Sequence, residues 1–146
     1  YPSDDDSVHL RTFPETPEAW RDDALAERWR RLRAIRRVVT GALEVERREK
    51  RIGSSLQAHP VVHVGEVDAA LLADVDLAEL AITSQITVTT DAAPADVFTM
   101  AEEPGIAVVV GAADGDKCER CWRQLHEVSF ETGLCGRCDA VVAVAA

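Results

Sequence analysis

All four cysteines of this chain stand in one stretch, Lys117 to Asp139, as two C-x-x-C pairs, Cys118/Cys121 and Cys135/Cys138, separated by thirteen residues. Each pair can turn two thiolates toward one point, and the spacer is long enough for a short hairpin to bring the second pair around. Four sulfurs then close a tetrahedron, the geometry of a structural Zn²⁺ site. Two disulfides or four core thiols are the plainer alternatives, but the doubled spacing favours metal. A redox C-x-x-C needs only one pair and a thioredoxin-like strand and helix around it, which the flanking residues do not supply. With all four positions filled by sulfur, no water can be activated, so the metal replaces a core that so short a segment cannot build.

The chain has 146 residues, 47% of them apolar, enough for one good core or two small ones. No apolar run approaches the roughly 20 residues of a membrane span, and Tyr1 to Asp6 does not read as a signal peptide, so a cytoplasmic setting is expected. A start at Tyr-Pro-Ser-Asp without Met suggests a piece of a longer chain. The net charge of −10 argues against a free-standing basic nucleic-acid binder, yet it conceals an asymmetry. Residues 11–51 hold twelve Lys or Arg against eight acids, whereas residues 52–116 hold eleven acids and no Lys or Arg. A polyanionic partner should therefore meet the first segment or the cysteine segment and avoid the middle.

In chain order, residues 1–15 read as a connection broken by Pro2, an Asp triplet and Pro14, with Val8, Leu10 and Phe13 able to dock on a neighbour. Thr16-Pro17 offers an N-cap and a first-turn proline. From there to about Lys50, Leu25, Trp29, Leu32, Ile35, Val39 and Ala42 or Leu43 repeat at helical spacing, with Gly41 as a kink or a point of close packing. Arg28, Arg30, Arg31, Arg33, Arg36 and Arg37 crowd the remaining faces, either solvated and paired with acids such as Asp23 and Glu27 or offered to phosphates. Trp20 and Trp29, on or beside the stripe, are expected in the core. The helix should stop at Ile52-Gly53-Ser54-Ser55.

A different structure follows: a strand over 56–64 with Pro60 marking an edge or bulge, an acidic helix over 67–80, a strand over 82–90, a strand or turn around 97–100, and an apolar strand over 105–110. His59 and His63 flank Pro60 on a strand and do not converge on a metal, so both read as ordinary strand histidines. Residues 111–115 form a linker into the cysteine segment. No phosphate loop, dinucleotide fingerprint or nucleophile elbow occurs. The fold class is thus α+β: a long helix or helical-bundle remnant, a small α/β unit with a short sheet, and a C-terminal four-cysteine zinc knuckle. Within the knuckle, Lys117, Arg120, Arg123 and Arg137 are placed to temper the negative charge of a zinc tetrathiolate. Trp122 is expected to pack over the cluster, the alternative being a ring offered to a nucleotide base.

KCERCW followed by LCGRC resembles the C-terminal zinc motif of bacterial isoleucyl-tRNA synthetases, which is shared in outline with the zinc finger of formamidopyrimidine-type DNA glycosylases. Upstream residues favour the synthetase: Ser7 to Leu10, Phe13-Pro14-Glu15, Trp20, and Ala42-Leu43-Glu44 with Arg47 or Arg48, Lys50, Ile52-Gly53, Ser55-Leu56 and Ala58 are similar to the end of its helical anticodon-binding domain. The resemblance is specific over 42–58 and 117–138 and weak across the acidic middle. It implies a non-catalytic C-terminal fragment of an isoleucine-tRNA ligase. Residues 1–55 would close the helical anticodon-binding domain, 56–113 form a small acidic α/β unit, and 114–146 a zinc-binding domain with four cysteine ligands. It further implies one structural Zn²⁺, with ATP used only by the parent enzyme's catalytic domain, and partners in the tRNA(Ile) anticodon stem-loop and the rest of the parent chain, as a monomer without membrane attachment. Candidate RNA contacts are Lys117, Arg120, Trp122, Arg123 and Arg137 beside the metal and Arg47, Lys50 and Arg51 on the helix. A glycosylase tail or a purely structural interaction module are the alternatives.

Overall fold

The computed structural model describes residues 7–145; the proline, the Asp triplet and the non-signal reading assigned to Tyr1–Asp6 lie outside the described residues. Helix α1, Asp23–Arg48, dominates the molecule. Its N-cap is Asp22, whose side chain accepts a hydrogen bond from the Leu25 amide at 2.8 Å. The Thr16-Pro17 start yields only a single 3-10 turn, Glu18–Trp20, because Pro17 is held extended at ψ 133°. At the other end the chain turns at Lys50, which takes the left-handed region at φ 59°, so the helix ends before Gly53. Ser54 and Gln57 then form a reciprocal capping box around the 3-10 turn Ser55–Gln57.

The core is built between α1 and a mixed four-stranded sheet. Strands β1 (Ala58–His63), β2 (Thr87–Thr89), β3 (Phe98–Thr99) and β4 (Ala107–Ala112) lie in the order β2-β1-β4-β3. β1 is central, parallel to β2 and antiparallel to β4. Pro60 therefore sits in an interior strand and not at an edge. The β1–β2 ladder begins only at Val61, so the missing amide of Pro60 costs that ladder nothing. Between β1 and β2 the expected single acidic helix divides into α2 (Glu66–Leu72) and α3 (Leu77–Ala81), where Asp76 caps the second helix through the Glu79 amide. Only the last part of the strand expected over 82–90 pairs, because Ile82 ends α3 in the left-handed conformation at φ 57°.

On α1 the buried residues are Leu32, Ile35, Val38, Val39, Ala42 and Leu43, facing Ala58, Val62, Ile106 and Val108 of the sheet layer. Complete burial of an aliphatic side chain of this size stabilises by roughly 1.5–3 kcal/mol, and this contact is the main apolar stabilisation. Gly41 marks close packing: a Cβ there would stand 2.9 Å from the Phe98 ring. The stripe does not stay covered toward its start. Trp20 is 76% exposed and Trp29 39%, so neither is a core residue, because the sheet reaches α1 only from Leu32 onward. Leu10 and Phe13 are likewise exposed.

The charge asymmetry resolves into internal pairing. Arg31 forks onto Asp68 (2.7 and 2.5 Å) and reaches Glu103 (2.6 Å), Arg28 meets Asp74 (2.5 Å), and Arg36 donates to the Leu80 carbonyl (2.6 Å). Asp68 is buried, and a buried carboxylate needs such a partner. Arg30 pairs with Glu27 along the helix. Three arginines of the cation-rich segment, Arg28, Arg31 and Arg36, thus find partners in the cation-free segment, while Arg21, Arg30, Arg47 and Arg51 pair with acids of their own segment. Among the described residues no helix is long and apolar enough to cross a membrane.

Candidate metal centre and its surroundings

After β4 the chain enters the cysteine segment through Gly115, whose φ of 101° and lack of a Cβ let it pass against the Leu125 backbone. Strands β5 (Asp116–Lys117) and β6 (Gln124–Leu125) pair as a hairpin, and α4 (Gly136–Ala145) carries the fourth cysteine. Each C-x-x-C is a turn that aims two sulfurs inward. The Trp122 amide donates to the Cys118 carbonyl (2.9 Å) in the first, and the Asp139 amide to the Cys135 carbonyl (2.9 Å) in the second. The four Sγ atoms all lie within 4.8 Å of one another.

The residues fit Zn²⁺. Thiolates about 2.3 Å from a tetrahedral metal stand about 3.8 Å apart, and Cys121 Sγ lies 3.8 Å from Cys135 Sγ. That separation is far beyond a disulfide bond, and all four cysteines are free. Cys118, Cys135 and Cys138 are buried, with Leu125, Val128 and Leu134 packed against them. Burial opposes ionisation of Cys118, yet backbone amides of Cys121, Cys135 and Arg120 outweigh it and bring its thiol down to about 6. The Cys135 amide stands 3.3 Å from that sulfur. Burial pushes Cys135 up to about 12 and also raises Cys121. A cation at the centre is what would draw all four into the thiolate form.

The basic residues around the cluster are put to different uses. Arg120 Nη1 lies 3.8 Å from Cys138 Sγ, the one guanidinium contact to sulfur among the described residues. Lys117 stands instead over the Trp122 ring, its Nζ 5.3 Å from the centroid. Trp122 does not pack over the cluster as expected. It is 61% exposed and held at φ 67°, a conformation unfavourable for a bulky side chain. Trp122 and Arg123 are the two residues that link the C-x-x-C turn to β6, and of these it is Arg123 whose side chain turns inward. Arg137 reaches toward Glu79 (3.7 Å). Arg123 turns inward, donating from Nη2 to the Ser84 carbonyl at 2.9 Å.

At the end of α1 Arg47 pairs with Glu44, Arg51 pairs with Glu46 and Glu49, and Lys50 is exposed at the turn. A crevice of about 100 Å³ lies between the turn that follows α1 and the cysteine unit, lined by Ser54, Leu56 and Gln57 on one side and Lys117, Trp122 and Gln124 on the other. Sequence reasoning assigned no role to Ser84, Gln85 or Gln124, which join the cysteine unit to the rest. Their partners lie 28 to 40 residues away, a separation that leaves no local pattern. His59 and His63 stay on β1, bonded to Thr87 (2.8 Å) and the Asp91 carbonyl (3.1 Å).

Residues 115–141 match the family described as "Zinc finger found in FPG and IleRS", so the cysteine unit is a zinc finger of that class. The remainder of the chain narrows the class. It is 50% identical over 145 residues to the isoleucine–tRNA ligase of Ruegeria pomeroyi, covering 97% of this chain and 15% of that protein. It is 55% identical over 132 residues to that of Agrobacterium fabrum, covering 90% and 14%, and 48% identical over 126 residues to that of Bartonella quintana, covering 86% and 13%. Over nearly its whole length the chain is homologous to a segment of bacterial isoleucine–tRNA ligases, as the motif resemblance implied, and it spans about 15% of the length of the relatives it matches.

Proposed function

We propose that this chain is a tRNA-binding, non-catalytic part of an isoleucine–tRNA ligase, in which one Zn²⁺ on Cys118, Cys121, Cys135 and Cys138 holds a small RNA-facing knuckle in shape. The observation that carries the reading is the pairing of a closed four-sulfur cluster with an outward aromatic and cations beside it, Trp122 under Lys117, with Arg120 and Arg137 exposed nearby. Closure by four sulfurs suits a structural metal. An exposed ring with adjacent cations suits an unpaired base and its phosphates, the form in which anticodon nucleotides are read. Arg47, Lys50 and Arg51 extend the same reading to the end of α1. The division into 1–55, 56–113 and 114–146 belongs to it too, with the exposed Trp20 and the Leu25 and Trp29 side of α1 lying against the rest of the parent chain. ATP is used elsewhere in that chain.

Fluorescence titration of the zinc-loaded chain with tRNA(Ile) tests the proposal. Binding should weaken when the anticodon is changed and in Arg120→Ala and Arg137→Ala. Affinity indifferent to both, or preference for damaged duplex DNA over tRNA, would overturn it.

A further inference from the structure

The zinc knuckle touches the remainder of the molecule through a polar seam centred on Ser84, which is 2% exposed and lies in the loop between α3 and β2. Its hydroxyl donates to the Leu56 carbonyl at 2.6 Å and accepts from the Gln124 amide at 2.7 Å. Its carbonyl accepts from Arg123 Nη2 at 2.9 Å. One residue thus binds the turn after α1 and two consecutive residues of the knuckle. Beside it, the Gln85 side chain both donates to the Asp114 carbonyl (3.0 Å) and accepts from the Asp114 amide (3.2 Å).

The loop that carries Ser84 is itself anchored. Arg36 of α1 donates to the Leu80 carbonyl at 2.6 Å, and the Thr83 amide closes on the Ala78 carbonyl at 2.9 Å. On the other side, the Arg123 carbonyl accepts from the Cys118 amide at 2.9 Å, and Trp122 is the residue immediately before it. A continuous path therefore runs from α1 through Leu80 and Ser84 to Arg123, Gln124 and the first metal-facing cysteine. Every bond along it is directional, whereas the hydrophobic contact between α1 and the sheet is not.

We propose that Ser84 and Arg123 are positioning residues: they fix the orientation of the zinc knuckle against α1, so that Trp122 and Lys117 face a ligand in register with the end of that helix. Arg123 then serves as an internal strut and not as a phosphate contact. The structural part of this proposal stands independently; its consequence for RNA rests on the tRNA-binding reading.

Residual dipolar couplings on the zinc-loaded chain separate the two. In the native protein, amides of α1 and of residues 116–138 should fit one alignment tensor. In Ser84→Ala and, separately, Arg123→Met they should require two, with one zinc per chain retained, while Ser84→Thr, which keeps the hydroxyl, restores a single tensor. A single tensor in both Ser84→Ala and Arg123→Met would overturn the proposal, since loss of stability alone does not decouple two folded parts. In parallel, both variants should bind tRNA(Ile) at least about fivefold more weakly than the native chain, the scale of a typical coupling between sites. Native chain that binds no tRNA would refute the RNA reading and leave the strut to the couplings alone. Unaltered affinity in variants that do decouple would refute the link between orientation and binding.

Discussion

At the scale of single residues, the informative positions are those where the backbone or a charge is under constraint. Gly115 is one. A Cβ there would lie 2.4 Å from the Leu125 carbonyl carbon, against backbone that cannot swing aside, and φ is 101°. Gly115→Ala should cost about 3 kcal/mol or more in the stability of the knuckle, measured by urea unfolding followed at the amides of β5 and β6. Glu46 is another. Its hydrogen bond from Arg51 holds its carboxyl below the usual range, with burial opposing. A carboxylate depressed in the folded state adds stability that is fully present above its unfolded value and disappears as the pH falls through the lowered one. Glu46→Gln should flatten that acid limb of the stability curve; an unchanged limb would show that the pair contributes nothing. The four cysteines and their shared use were legible as residues because metal-ligand spacing is local. The strained φ of Trp122 was not, since it arises from how the turn meets β6.

At the scale of elements, the knuckle and the helix–sheet layer stand on different physics. The knuckle has three buried cysteines with Leu125, Val128 and Leu134 around them, too little apolar surface to hold a hairpin closed. Chelation of zinc should abolish amide protection over residues 116–138 while α1, β1 and β4 stay protected, as hydrogen exchange would read out. Acidification should act in the same direction, because protons compete for the thiolates that bind metal. Within the layer, Arg31 holds buried Asp68 and half-buried Glu103. Arg31→Ala should cost about 2 kcal/mol, a value below that for a wholly buried pair because the guanidinium is 37% exposed. Thermal or urea unfolding would measure it, and pairing Arg31→Ala with Asp68→Asn should recover part of the loss. The helical stripe from Leu32 onward was readable from period alone. Its uncovered start was not, because period tells which face is apolar and not how far a partner extends.

For the molecule as a whole, net charge and binding surface are decoupled. Asp68, Asp74 and Glu103 of the acidic segment are held by Arg28 and Arg31, so the cations of the knuckle, of the end of α1 and the exposed Arg33 and Arg37 set any attraction to RNA. The logarithm of tRNA affinity should fall with log salt, and Lys117→Ala should lower that slope by about 1, read from titrations at several salt concentrations. An unchanged slope would assign Lys117 to Trp122 alone. By itself the sequence determined the α+β class, the existence of the long helix and the four-sulfur cluster, which rest on spacing within short windows, and its motifs carried the resemblance to isoleucine–tRNA ligases. Only the tertiary structure decided that Arg28, Arg31 and Arg36 of α1 turn to partners in the following segment while Arg33 and Arg37 stay exposed, that Trp20 and Trp122 stay in solvent, and that Ser84 joins the knuckle to the helix. Those outcomes depend on which distant groups come within a few ångströms, where hydrogen bonds and burial act, and no local pattern of residues encodes that distance.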